Sequence, residues 1–403
     1  MKRQLDNWLD SYLEYTNNTE PPVLFHKWVG ISVIASALQR KCKLDWGSLT
    51  FYPNLYIVLV APSGRARKGT AMSVGLQMLE EIGIKLAAES ITREALVREL
   101  NDAQLTTVDP NTERVDFHSS LTVFSPELTV FLGNQNFQLM SDLTDWYDCR
   151  TKWTYRTKNM GTDEIKGVWV NLIGATTPSL IQTALPMDAI GGGLTSRIIF
   201  VFEQNKAKIV PVPSLTPAER LLRTKLVQDL EQIRLLQGTF KVEKDFVPLW
   251  VDWYHAQENK PPFEDVRFNG YIERRPNHVM KLCQIANASR TSSMIISRVD
   301  LETAISILDA TEVKMPLAFS GVGRLDYADI ITDVMTFVYD RKIVTIAELM
   351  SRYSSDVDYK LMGNILESLY VQKVLTWGQV GDQKAVKYLD QNKLITLEGG
   401  DEK

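Results

Sequence analysis

The feature that most constrains this chain is a strand, a turn and a basic helix start in direct succession. In residues 51–60 the second half, Leu55-Tyr-Ile-Val-Leu-Val60, is a continuous apolar and largely β-branched run. That is the pattern of a strand buried on both faces. It stops at Ala61-Pro-Ser-Gly64, a turn signal, and a helix is expected from about 69 to 88. Residues 121–124, 168–174 and 197–202 repeat the buried-strand pattern and alternate with helical stretches. Such alternation predicts an α/β fold with a parallel sheet covered on both faces.

The rest of the chain divides around that core. Residues 1–45 read as helical, with Leu5, Trp8, Leu9, Tyr12 and Leu13 at helical spacing and a second helix over 23–38. A proline-containing polar stretch at 203–215 reads as a boundary, and 217–319 as almost wholly helical. Beyond about Leu325 three amphipathic helices are expected, at 327–339, 346–353 and 359–370. Strand-like runs at 374–377 and 385–389 follow, with Gly381-Asp382 at the turn, so a winged helix-turn-helix is expected. With 403 residues, 44% of them apolar, the chain can fill a large core and one or two smaller modules.

Charge and cysteines narrow the setting. Three cysteines far apart match no zinc spacing, and no signal peptide is read, so a reduced cytoplasmic compartment is expected. The apolar runs are strand-sized, which argues against a membrane span. The formal net charge of -4 weighs mildly against nucleic acid. A ring can nevertheless collect its cations in a channel while its outside stays acidic.

Ser63-Gly-Arg-Ala-Arg-Lys-Gly-Thr70 follows the first strand. A phosphate-binding loop needs inward N–H groups, a lysine for the terminal phosphates and a hydroxyl for magnesium, at a helix N-terminus. Ser63, Gly64, Arg67, Lys68, Gly69 and Thr70 can supply them. The spacing is unusual, because Arg67 stands where glycine is common and Gly69 separates Lys68 from Thr70. A plain basic turn capping a helix is the alternative.

Glu127 follows the strand at 121–124, placed to polarise water or hold magnesium, or else to cap the next helix; Ser125 stands where a magnesium-binding aspartate is common. Thr176 and Thr177 leave the next strand where a γ-phosphate sensor would lie, or form a turn before Pro178. Arg197 opens the last buried strand after Gly191-Gly-Gly193, as an arginine finger or a structural ion pair. Arg274 and Arg275 open a helix from which one could reach the phosphates of its own subunit, though both could be surface charges.

Between 148 and 166, cations interleave with aromatic rings. Lys152, Trp153, Tyr155, Arg156 and Lys158 alternate toward a turn near 159–161, which predicts a β-hairpin suited to a nucleic-acid strand, or a solvated charged hairpin. The four histidines are scattered and form no metal set.

As an ordered group, Tyr52-Pro-Asn-Leu-Tyr-Ile-Val-Leu-Val-Ala-Pro-Ser-Gly64, Arg67-Lys-Gly-Thr70, Phe124-Ser-Pro-Glu127, Leu143-Thr-Asp-Trp-Tyr-Asp148, Gly174-Ala-Thr-Thr-Pro178 and Gly193-Leu-Thr-Ser-Arg197 resemble a known family. It is a P-loop family without an assigned function, found in phages, plasmids and genomic islands. Its members are often encoded beside, or fused to, primase-polymerase modules. The likeness spans residues 23–320.

The resemblance implies a replicative helicase-like ATPase with an AAA+ or RecA-like core, working as a hexameric ring in a bacterial host cell. It makes Lys68 and Thr70 the phosphate-loop pair, Glu127 the Walker B acid, Thr176 or Thr177 the first sensor and Arg197 the finger. ATP and Mg2+ are the implied ligands, with Thr70 and Glu127 toward the metal. The implied partners are single-stranded or forked DNA and a separate primase or polymerase. The expected layout is a helical segment at 1–45, the ATPase core at 46–210, a helical lid at 211–322 and the winged helix at 323–395. An ATP-controlled origin binder or helicase loader is the alternative, and a non-enzymatic DNA-binding scaffold with a degenerate loop the second.

Overall fold

The computed structural model describes residues 3–108, 113, 115–133, 136–157, 161–184, 193–263, 265–319, 328–354, 357–371 and 374–389. They form two compact units, 1–322 and 323–403. The architecture is mixed α/β with parallel sheets, and about half of the chain is helical. No helix among the described residues is long and apolar enough to cross a membrane.

The first unit opens with α1 (Trp8–Thr16) and α2 (Val23–Leu38). The Asn7 side chain caps α1 by accepting from the Leu9 and Asp10 N–H groups. Helix α2 is buried nearly all round, as a helix apolar on every face must be. Then come β1 (Cys42–Trp46), β2 (Leu49–Phe51), β3 (Tyr56–Val60), α3 (Lys68–Glu81), α4 (Arg93–Asp102), β4 (Gln104–Val108) and β5 (Val115–Ser125). They are followed by α5 (Leu128–Leu132), α6 (Phe137–Tyr147), β6 (Lys152–Thr157), β7 (Gly161–Lys166), β8 (Val168–Thr176), α7 (Pro178–Ala184) and β9 (Ile198–Phe202).

The main sheet has the order β4-β5-β8-β3-β9, with only β4 antiparallel. Strand β3 pairs in parallel with β8 from Tyr56↔Leu172 to Val60↔Thr176, and with β9 from Tyr56↔Ile198 to Val60↔Phe202. Strand β5 pairs with the other side of β8, from Ser119↔Val168 to Ser125↔Gly174. The chain thus leaves β3, skips one place to β5, fills the gap with β8 and crosses to the far side for β9. Such a switch in strand order opens a crevice at the carboxyl ends of the strands. Helix α3 returns from that edge and packs on α2 at Gly75, where a Cβ would lie 2.5 Å from a Val29 methyl group.

Two expectations need correction. The stretch 1–45 is not helical to its end, because β1 starts at Cys42. The region after 211 contains α8 (Pro217–Arg234), β10 (Gly238–Val242), α9 (Phe246–Asn259), α10 (Asn269–Arg290), β11 (Ile295–Ile296) and α11 (Arg298–Glu312), so it is not wholly helical. Strand β10 pairs in parallel with β1, from Cys42↔Gly238 to Leu44↔Phe240, in a second sheet of order β11-β10-β1-β2. The N-terminal helices are not separate from this body either. The Trp8 indole N–H donates to the Leu226 carbonyl (2.8 Å) and that of Trp28 to the Thr311 hydroxyl (2.8 Å).

The second unit has its own core, including Val334, Val338, Leu349, Ile365 and Leu375. Its order is α12 (Ala328–Arg341), β12 (Ile343–Thr345), α13 (Ile346–Tyr353), α14 (Tyr359–Val371), β13 (Leu375–Val380) and β14 (Gln383–Tyr388). The three strands form an antiparallel sheet of order β12-β14-β13, and Gly381, at φ +59°, turns the β13–β14 hairpin.

Candidate active site

Strand β3 is fully buried, and its ladder runs on to the Ala61 N–H, which donates to the Thr176 carbonyl (3.3 Å). The loop from Pro62 to Arg67 then carries the chain to the start of α3. Gly64 has φ +70°, and Arg67, at the N-cap of α3, has φ +53°. Arg67 therefore adopts the left-handed backbone that glycine takes without cost. Its guanidinium is bound to Glu20 (2.8 Å), which also takes Lys206 (2.6 Å). Those two cations, Lys206 first, hold the Glu20 carboxyl down to about 2.

Lys68 is the first residue of α3, and its Nζ donates to the Ala61 carbonyl (2.8 Å), folding back over the loop. Partial burial lowers its pKa, and the nearby Glu127 carboxylate opposes that shift. The two side chains therefore lie near each other. Ser63, Gly64, Gly69 and Thr70 are exposed around the helix start. A Cβ added at Gly64 or Gly69 would meet nothing within 4 Å, so the space beside both glycines is open.

Glu127 is exposed just past the end of β5. It occupies the N-cap position of α5, yet its side chain makes no capping bond. The helix-capping reading of this carboxylate is thus not what the structure has. The Ser125 and Thr176 hydroxyls, at the ends of β5 and β8, are buried and have no hydrogen-bond partner. Thr177 is engaged otherwise: its hydroxyl accepts from the Leu180 N–H (3.3 Å) and meets Ser179 (3.0 Å), capping α7. Of the two threonines, Thr176 is the one whose hydroxyl has no partner.

Arg197 lies at the other edge of the sheet. Its position just before Ile198 sets it level with Leu55, about 20 Å along the strands from Ala61. The guanidinium is buried, donating to Asp148 (2.5 Å) and to the Gly193 carbonyl (2.7 Å). Arg274 joins it, with Nε donating to the Ser196 hydroxyl (3.1 Å) and a terminal nitrogen 3.8 Å from Asp148. Arg275 is held by Glu312 (2.7 Å) and Asp309 (2.5 Å). The expectation that Arg274 or Arg275 reaches the phosphate loop of its own chain is therefore corrected. The register of α10 turns one onto the Arg197 cluster and the other into a buried ion pair.

Nearby, Lys281 is wholly buried, with Nζ on the Asn54 amide oxygen (2.5 Å) and 4.1 Å from the Tyr147 ring centroid. Burial pushes its pKa down to about 8.

The basic hairpin pairs from Lys152↔Lys166 to Thr157↔Gly161. Lys158 and the turn around it lie outside the described residues. Lys152, Thr154 and Arg156 are exposed, whereas Trp153 and Tyr155 are half-buried. The two rings stack on each other (6.0 Å). Trp153 also meets Trp146 edge-on, and the Tyr155 hydroxyl accepts from Arg93 (3.2 Å). The hairpin thus turns cations outward and uses its rings to hold itself on the body. No protein-family model and no curated protein matches the chain.

Proposed function

We propose that the chain is an ATP-driven motor on DNA, a helicase or translocase working as a homo-hexameric ring, with an AAA+ or RecA-like P-loop core and a C-terminal winged helix. One observation carries this reading. Lys68, Thr70, Ser125, Glu127 and Thr176 gather at the carboxyl ends of three neighbouring parallel strands and the helix that follows the first. Two of these groups are buried hydroxyls without partners, which a phosphate or its metal shell would satisfy.

In this reading the loop N–H groups and Lys68 bind the β- and γ-phosphates, and Lys68 exchanges the Ala61 carbonyl for them. Thr70 and Glu127 would hold magnesium, which would neutralise phosphate charge when bound. Glu127 orients the attacking water and takes its proton as the β–γ bridging bond breaks, while Thr176 contacts the γ-phosphate. With β8 between β3 and β5, Glu127 stands about 10 Å across the sheet from the loop strand, which leaves room for that water. Arg197, remote from its own loop, serves the loop of the neighbouring subunit by giving up its bond to Asp148.

The test is ATP hydrolysis with and without single-stranded DNA, for wild type, Lys68→Ala, Glu127→Gln and Arg197→Ala. Hydrolysis stimulated by DNA and lost in all three variants is the expected result. Ser125, standing where a second acid is common, favours one other reading: an ATP-controlled origin binder or loader, which binds ATP but displaces no strand from a fork. A chain with no ATP affinity, unaffected by Lys68→Ala, would be a DNA-binding scaffold.

A further inference from the structure

A second basic surface lies away from the nucleotide crevice, at the amino end of the main sheet. Here the start of β1, the β4–β5 pair and the base of the β6–β7 hairpin enclose a cavity of about 430 Å3. Its lining brings four cations, Arg40, Lys41, Lys43 and Lys166, together with one carboxylate, Asp116. In a protein of net charge -4 this is a local reversal of sign.

The ion pairs beside it leave most of that charge available. Lys43 meets the exposed Asp45 (3.1 Å), and Glu164 is taken by Lys152 (2.5 Å). Exposed pairs of this kind are weak and readily exchanged for a phosphate. Arg40 donates to the Cys149 (2.6 Å) and Val168 (3.2 Å) carbonyls and lies 4.2 Å from the Tyr52 ring centroid. Those contacts fix the guanidinium without neutralising it.

The groove also has a ring to offer. Phe117 is 45% exposed on β5, and the Lys166 ammonium lies 5.5 Å from its centroid. An exposed aromatic with a cation at its face is the arrangement on which a base stacks while its phosphate is held. His118 lines the same cavity and is 3% exposed. Its Nδ1 meets the Ser120 hydroxyl (2.8 Å), while its buried Nε2 has no partner. Gly167, at φ +57°, lets the hairpin base close on β5: a Cβ there would lie 2.5 Å from the Phe117 carbonyl oxygen.

We propose that this groove holds a segment of single-stranded nucleic acid, with phosphates on Arg40, Lys43 and Lys166, a base on Phe117 and a polar group on His118. A strand is favoured over a free nucleotide because the cations continue out of the cavity. Lys166 is directly opposite Lys152 in the hairpin ladder, and the exposed Arg156 lies further along the same strand. The groove supplies the stacking ring that the hairpin, with Trp153 and Tyr155 turned inward, does not. The inference rests on the DNA reading above and adds the place where the strand is gripped.

The test is fluorescence anisotropy of a labelled oligo-dT on the full chain, over a range of salt. Thermal melting of each variant serves as the check on folding. The double variant Lys43→Glu/Lys166→Glu is expected to bind at least about ten-fold more weakly, with a shallower salt dependence. Phe117→Ala is expected to lose about five- to ten-fold with the salt dependence unchanged. If both bind like wild type while Lys152→Glu/Arg156→Glu loses the DNA, the groove is not the site and the DNA reading stands. If dTMP alone competes as well as the oligomer, the groove is a nucleotide pocket and the inference fails. Wild type that binds no oligo-dT overturns the inference and the DNA reading together.

Discussion

The two edges of the main sheet are built from the same four parallel strands and could hardly differ more. At the carboxyl edge, Ser125 and Thr176 have buried hydroxyls without partners, Glu127 caps nothing, and Lys68 holds only a backbone carbonyl. At the amino edge, Arg197, Arg274 and Lys281 are each bonded, around Asp148, Ser196, Gly193 and Asn54. Buried polar groups are ordinarily satisfied. The unmet hydroxyls at the carboxyl edge are those that the proposed nucleotide would complete, whereas the cluster around Asp148 at the amino edge is mostly paired within the chain, with the Arg197 Nε and the His118 Nε2 left without partners. Asp148, 43% exposed, holds two arginines at the amino edge while facing solvent.

The comparison breaks most sharply at Arg197. If it serves a neighbour's nucleotide, Arg197→Ala cuts hydrolysis by about 10³–10⁵ while ATP binding at the chain's own loop persists. Steady-state rates beside equilibrium binding separate these, and unchanged hydrolysis makes the amino edge purely structural. Next in size is Arg275→Ala, which strands Glu312 in the interior. It is expected to cost about 3–5 kcal/mol in denaturant unfolding, and a loss below 1 kcal/mol would mean that the pair is not desolvated as described.

Acid provides a third comparison. Burial holds His26 and His118 down to about 4 and His278 to about 3, whereas the unfolded chain protonates its histidines near 6.5. Below 6.5 the unfolded state takes up protons that the folded state refuses, so stability falls as pH drops from 6.5 toward 4. The loss is roughly 1–2 kcal/mol per histidine at pH 5. A melting temperature that stays flat from pH 7 to 5 contradicts these burials.

The smallest effect divides the two threonines. Thr176→Val is expected to slow hydrolysis on the order of ten-fold without loss of stability, because its hydroxyl has no partner to abandon. Thr177→Val should leave the rate alone and cost about 0.5–1 kcal/mol as a lost helix cap. The reverse pattern in paired rate and melting measurements assigns the sensor to Thr177.

How much of this was legible in the sequence depended on burial and distance. Strands β3, β8 and β9 are buried on both faces and read directly as apolar runs. Strand β5 reads as a strand only at 121–124, because its buried middle, His118, Ser119 and Ser120, is polar and its amino end at Val115, Asp116 and Phe117 is exposed. Strands β1 and β10 are five residues each and half-exposed, and they find each other across almost two hundred positions, so no local pattern announces them.

The order of loop, acid, polar strand end and arginine pointed to the crevice residues, but helix register decides which of Arg274 and Arg275 faces which neighbour. Spacing alone does not fix that. The basic groove was missed for the same reason as the β1–β10 pairing. Arg40 and Lys43 come from one end of the unit and Phe117 and Lys166 from its middle, and each looks like an ordinary surface residue in its own window.

The β1–β10 pairing also decides where the polypeptide can be cut. A gene fragment ending near residue 210, at the polar stretch after β9, would encode every strand of the main sheet. It would nonetheless leave β1 with a bare edge from Cys42 to Leu44 and strip α1 and α2 of the α8 face they pack on. Such a fragment is expected to be recovered in inclusion bodies. A fragment ending at Val322 keeps all three described sheets of the first unit whole and is the piece to express when the two units are to be studied apart.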